Sequence, residues 1–91
     1  METKQQLVNR LKSVEGHVRG IQRMVDDDAY CVDIIKQTMA VQRAIEKFNS
    51  IILERHLAGC VTTAIRGEDA SERERVIHEL LQVFETSSKI S

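Results

Sequence analysis

Cys31, His56 and Cys60 carry most of the chemistry open to this chain: both of its cysteines and one of its three histidines. His56 and Cys60 lie four residues apart on a segment whose pattern reads as helix. Side chains at that spacing stack on one helical face and can share a ligand. Cys31 follows the acidic turn Asp26-Asp27-Asp28. Two thiolates and one imidazole form a soft donor set, suited to Cu(I) or Zn(II) and poorly suited to Mg(II) or Ca(II). Three protein ligands, two of them thiolates, favour trigonal Cu(I), because a structural zinc site normally closes with four. The other imidazoles, His17 among basic residues and His78 further on, are not at ligand spacing.

Three helices must position these residues. In the first, Leu7, Leu11, Val14, Val18, Ile21 and Val25 recur at spacings of four and three, the seam of a helix packed lengthwise on another. Gly16 and Gly20 lie off that seam and suggest a close helix approach. The run Asp26-Asp27-Asp28 suits the start of a helix better than the end of one, so Asp28 is expected to cap the second helix. That helix is expected from about Ala29 to about Ile65. Ile35, Met39, Ile45, Phe48, Ile52, His56, Cys60 and Ala64 mark its buried side, and Val32, Val41, Ile51, Leu57 and Val61 widen it. Gly67-Glu68-Asp69 ends it. Ser71 then opens the third helix, with Glu74 completing a capping box, and Val76, Ile77, Leu80, Leu81 and Phe84 give its apolar face. Ser87 to Ser91 is expected to fray.

Distance decides how the three ligands can meet. Along one straight helix, the 25 residues from Cys31 to His56 span roughly 37 Å at about 1.5 Å per residue. Metal–ligand bonds are about 2 Å long. One chain therefore cannot close the site. If the second helix pairs antiparallel with its copy, Cys31 of one chain falls beside His56 and Cys60 of the other, and twofold symmetry makes two sites per dimer. The over-wide apolar face of the second helix asks for the same partner.

Composition agrees. Ninety-one residues make one domain at most, here read as residues 1–91, with a thin core. There is no proline, glycine is sparse and aromatics make up 3%, the composition of an all-α protein. A polar opening and the lack of an apolar run near twenty residues argue against a signal peptide or a membrane span. The expected location is the cytoplasm, where thiols stay reduced and cysteines serve as ligands or sensors. Net charge is −1, which argues against indiscriminate polyanion binding. Residues 4–23 nevertheless hold Lys4, Arg10, Lys12, Arg19 and Arg23 against Glu15 alone, a local basic surface able to dock phosphate. No glycine-rich phosphate loop, paired acid–base constellation or Ser-His-Asp set is present, so no enzyme is expected. A helical cysteine can also be a small apolar filler, and a basic helix face can simply be solvated. The residues by themselves describe a metal-binding or thiol-reactive helical oligomer.

Several short runs go further together: Arg10-Leu11-Lys12, Val14-Glu15-Gly16-His17, Gly20-Ile21, Arg23-Met24, Asp28-Ala29-Tyr30-Cys31-Val32-Asp33, Lys36-Gln37, Ala40-Val41-Gln42, and His56-Leu57 before Cys60. In these the chain resembles the CsoR/RcnR family of bacterial metal-sensing repressors, copper-sensing branch, over about residues 7–86. The resemblance implies an all-helical homotetramer, a dimer of dimers, that binds operator DNA without a helix-turn-helix. Metal binding would weaken DNA binding and release genes for metal export. Copper sensors of the family use a Cys-His-Cys set, matched by Cys31, His56 and Cys60. Nickel and cobalt sensors add a histidine near the N-terminus, persulfide sensors lack the ligand histidine and formaldehyde sensors lack the second cysteine. Cu(I) is therefore the expected cofactor.

The same resemblance assigns Tyr30 and Glu79 to positions linking the ligand histidine to the third helix, since a ligand imidazole normally donates its other N–H to an acceptor. It places Arg10, Arg19, Lys36 and Lys47 on the positive surface that meets DNA, with Lys12, Arg23 and Arg43 as lesser contributors. The competing reading is a thiol- or persulfide-responsive repressor of the same fold, in which Cys31 and Cys60 of paired subunits become linked.

Overall fold

The computed structural model describes the backbone of residues 2–90 and the side chains of residues 2–86. Helix α1 spans Lys4–Asp26, α2 Cys31–His56, α3 Thr62–Arg66 and α4 Ala70–Ile90, with a π-helical turn at Leu57–Val61 joining α2 to α3. The protein is all-α, with no strand among the described residues. α2, the π turn and α3 follow one another without a break and occupy the span expected of one long helix. The chain divides into two compact units, Met1–Leu53 and Glu54–Ser91.

In the first unit, Thr3 caps α1. Its hydroxyl accepts from the Gln6 amide at 3.1 Å, while the Gln6 side chain accepts from the Thr3 amide at 2.7 Å. This reciprocal box satisfies two amides that a helix start leaves free. At the other end the Ala29 amide donates to the Met24 carbonyl and the Asp28 amide to that of Val25, the paired bonds of a Schellman close. That close needs a left-handed residue, and Asp28 supplies it at φ 54°. The expectation that Asp28 caps α2 is therefore corrected. Its backbone ends α1, and α2 begins at Cys31 rather than Ala29, with the Asp33 and Ile34 amides donating to the Tyr30 carbonyl. Aspartate tolerates the left-handed region better than most residues but still less well than glycine. Asp28→Gly relieves roughly 1–2 kcal/mol of that cost and returns about 0.4–1 kcal/mol through the looser unfolded chain. A net gain of about 0.5 kcal/mol is expected, read as a higher urea midpoint at an unchanged m-value.

α1 and α2 meet where His17 Nε2 and Gln37 Oε1 lie 2.7 Å apart. Leu7, Val41 and Ile51 are buried in this unit, but Leu11, Val18 and Val25 of the α1 seam stay 41–58% exposed. So do Val32, Ile35, Met39, Ile45 and Ile52 of α2. A single chain thus leaves much of both apolar faces in water. A Cβ built at Gly16 would meet nothing within 4 Å, and one at Gly20 only the end of the Arg23 side chain. The close helix approach expected at these glycines does not occur within the described chain.

In the second unit, Val61 and Val76, each 2% exposed, and Ala64 form a core against which Leu80 packs. The helix breaks at Gly67, whose amide donates to the Thr63 carbonyl. α4 is capped two residues earlier than Ser71, at Asp69. The carboxylate of Asp69 accepts from the Ser71 amide at 2.9 Å and the Glu72 amide at 3.4 Å, so Asp69 is the N-cap and Ala70 the first helical residue. An ionised acceptor at a helix N-terminus also answers its dipole, which a serine hydroxyl does not. α4 continues through residues 87–90, where fraying was expected; Ser91 lies outside the described residues.

Candidate metal site and basic surface

Cys31 is the first residue of α2, and both cysteines are free and exposed. His56 is the last residue of α2, half-buried, and its ring makes no side-chain hydrogen bond among the described residues. Cys60 sits inside the π turn. The Leu57 carbonyl there accepts from both the amide and the hydroxyl of Thr62, which stabilises the wider i→i+5 turn. Such single wide turns inside helices concentrate at functional sites. Sequence reasoning missed it. Gly59 was the available signal: a Cβ there would meet nothing, so space does not demand glycine, but glycine weakens the regular helix around it by about 1 kcal/mol. No three His, Cys, Asp or Glu side chains of one chain gather into a metal site among the described residues.

The donor chemistry fits Cu(I). Two accessible thiols can ionise on binding, and an imidazole without a competing hydrogen bond can offer either nitrogen. Tyr30 is 67% exposed and immediately precedes Cys31. Glu79 is held by Arg75, whose guanidinium donates to it at 2.5 Å and also to Glu72. The pair with Glu72, reinforced by Glu79, keeps Arg75 well above its ordinary pKa, and Arg75 in turn lowers that of Glu72. Any contact between Glu79 and His56 therefore competes with an ion-pair network along α4.

The basic candidates all lie in the first unit. Lys36 is exposed on α2 and makes no ion pair among the described residues. Arg19 faces Glu15 at 4.0 Å with both side chains mostly exposed, a contact worth little in water. Arg10 differs. Its Nε and Nη2 donate to the two carboxylate oxygens of Glu2 at 2.7 and 2.8 Å. These bonds hold the Glu2 carboxyl below the usual carboxylate range, with Lys47 adding a through-space contribution, and Arg10 is correspondingly raised. Because the Glu2 pKa is depressed, the pair is fully formed above the ordinary carboxylate value. It is lost only as pH falls through the lowered one. Sequence reasoning missed this pair too, since eight residues separate its members.

Comparisons with known proteins identify the family. The family model described as metal-sensitive transcriptional repressor matches residues 3–86. The copper-sensing transcriptional repressor CsoR of Bacillus subtilis is 49% identical over 86 residues, covering 94% of this chain and 82% of that protein. The copper-sensing repressor CsoR of Mycobacterium tuberculosis is 50% identical over 62 residues, 68% of this chain and 52% of that protein. Among solved structures, the copper-sensing repressor CsoR with Cu(I) from Geobacillus thermodenitrificans aligns with a TM-score of 0.83 at 38% identity, covering 97% of this chain and 92% of that one. The nickel-responsive transcriptional regulator InrS aligns at 0.79 and 34% identity, covering 91% and 93%. On this likeness of sequence and fold, the chain belongs to the metal-sensitive transcriptional repressors, a family of regulators rather than enzymes.

Proposed function

We propose that this protein is a Cu(I)-responsive repressor. It binds operator DNA without metal and leaves it when Cu(I) is bound, derepressing genes for copper export. The observation that carries the reading is the donor set: two free exposed thiols, Cys31 and Cys60, and the imidazole of His56, which makes no side-chain hydrogen bond among the described residues. Relatives named as copper sensors support it. The three ligands are assigned to two chains: Cys31 from one subunit, His56 and Cys60 from its neighbour. Residues 1–91 act as one domain in a cytoplasmic homotetramer, a dimer of dimers whose subunits cover the exposed apolar residues of α1 and α2.

Arg10, Arg19, Lys36 and Lys47 dock on DNA phosphates. Tyr30 and Glu79 orient His56 and relay its state to α4. A ligand shifts such an equilibrium only through its different affinity for two states, so the metal-ready packing of α2 and α4 must be the one whose basic residues fit DNA less well. The test is an operator-binding titration with Cu(I), Zn(II), Ni(II) and a persulfide donor side by side. Cu(I) alone should release DNA at stoichiometric loading. Release by persulfide with no tight Cu(I) binding would instead identify a thiol sensor using Cys31 and Cys60.

A further inference from the structure

We propose that Glu2 is an intramolecular stand-in for a DNA phosphate. Its carboxylate occupies Arg10, and so sets how tightly the metal-free protein binds its operator. The inference rests on the reading of Arg10 and Lys47 as phosphate contacts, and deepens it.

Both carboxylate oxygens of Glu2 are engaged by one guanidinium, at 2.7 and 2.8 Å through Nε and Nη2. This is the two-pronged geometry by which arginine also grips phosphate. An Arg10 so engaged cannot offer the same two donors to DNA. Glu2 is not placed by chance. The capping box at Thr3 fixes the backbone one residue away, and a carboxylate just before a helix start is favoured by the dipole. The Glu2 side chain is 26% exposed against 40% for Arg10, so the acid lies against the protein while the guanidinium keeps a solvent-facing side for an exchange of partners. Among the described ion pairs, no other proposed DNA-contacting residue is engaged this closely; Arg19 and Glu15 are 4.0 Å apart.

Two consequences separate this role from plain charge. Freeing Arg10 should tighten operator binding only while Arg10 is present. The gain should also fade with salt, because salt screens the internal pair as it screens the phosphate contact. For an exposed ion pair the expected gain is about two- to fivefold per DNA-contacting subunit.

The experiment measures operator affinity of the metal-free, full-length protein at 50, 100 and 200 mM salt for wild type, E2Q, E2A, R10A and E2Q/R10A. Helix content by circular dichroism confirms that each variant is folded. Tighter binding by E2Q and E2A at 50 mM, a smaller gain at 200 mM, and no gain from E2Q in the R10A background would establish the role. An unchanged affinity for E2Q and E2A, alongside a weakened R10A, would overturn the proposal and leave the DNA surface standing. An equal gain with and without Arg10 would overturn it as a general charge effect. An R10A protein that binds like wild type would remove the DNA surface, and the proposal with it.

Discussion

Cys31→Ala and Cys60→Ala are each expected to abolish tight Cu(I) binding, and mixing the two variants to restore part of it. Loss of one ligand from a three-donor site should exceed the roughly 10- to 100-fold typical of losing an outer hydrogen-bond partner. His56→Ala should weaken binding less, because both thiolates remain and soft thiolates dominate the affinity for Cu(I). Mixing is the sharper measurement. A chain lacking Cys31 still holds His56 and Cys60, and a chain lacking Cys60 still holds Cys31. After the variants are unfolded and refolded together in equal amounts, about half of the dimers pair unlike chains, each with one complete site. Competition with a chromophoric Cu(I) chelator should then find about one quarter of the wild-type stoichiometry. A mixture that binds no more Cu(I) than its two components would show that the ligands are not shared between chains.

The candidate donor set was legible because its members are rare residue types at a helical spacing, and helix rise forbids Cys31 from reaching His56 along one straight element, so its assignment to two chains remains the proposal above. The long-helix architecture was equally legible from the 3.6-residue pattern, and every expected helix is present. The errors cluster at helix ends, where several polar residues compete for one capping role. Asp28 and Asp69 are chemically alike, yet one ends a helix through its backbone φ of 54° and the other starts a helix through its side chain. Ser71 was a good cap by type and lost to a carboxylate two residues earlier. Thr3 and Gln6 carried the capping-box spacing and were passed over as a polar opening. The π turn at Leu57–Val61 had no residue pattern of its own beyond Gly59. The wide apolar face of α2 was read correctly as too large for one chain, and Ile35 and Met39 remain 56% and 47% exposed.

Replacing Arg10 or Lys47 with alanine is expected to weaken operator binding and to flatten its salt dependence. Contacts from exposed lysine and arginine reach phosphates far more often than bases, so they set affinity and register rather than sequence preference. Each phosphate neutralised contributes about 0.9 to the slope of log affinity against log salt. In a symmetric assembly the same residue acts in every subunit that touches DNA, so one substitution can remove more than one such increment. Lys47 should give the cleaner result. It shares the neighbourhood of Glu2 but makes no hydrogen bond to it, so its removal deletes a phosphate contact and little else. Arg10→Ala also breaks the internal pair with Glu2, so its effect combines the loss of a phosphate contact with the loss of that pair. The measurement is operator affinity from 50 to 200 mM salt, repeated on a scrambled duplex. Parallel losses on both duplexes, with shallower slopes, would mark phosphate contacts. A loss confined to the operator would mark base recognition instead, and unchanged slopes for both variants would place the DNA surface elsewhere on the chain.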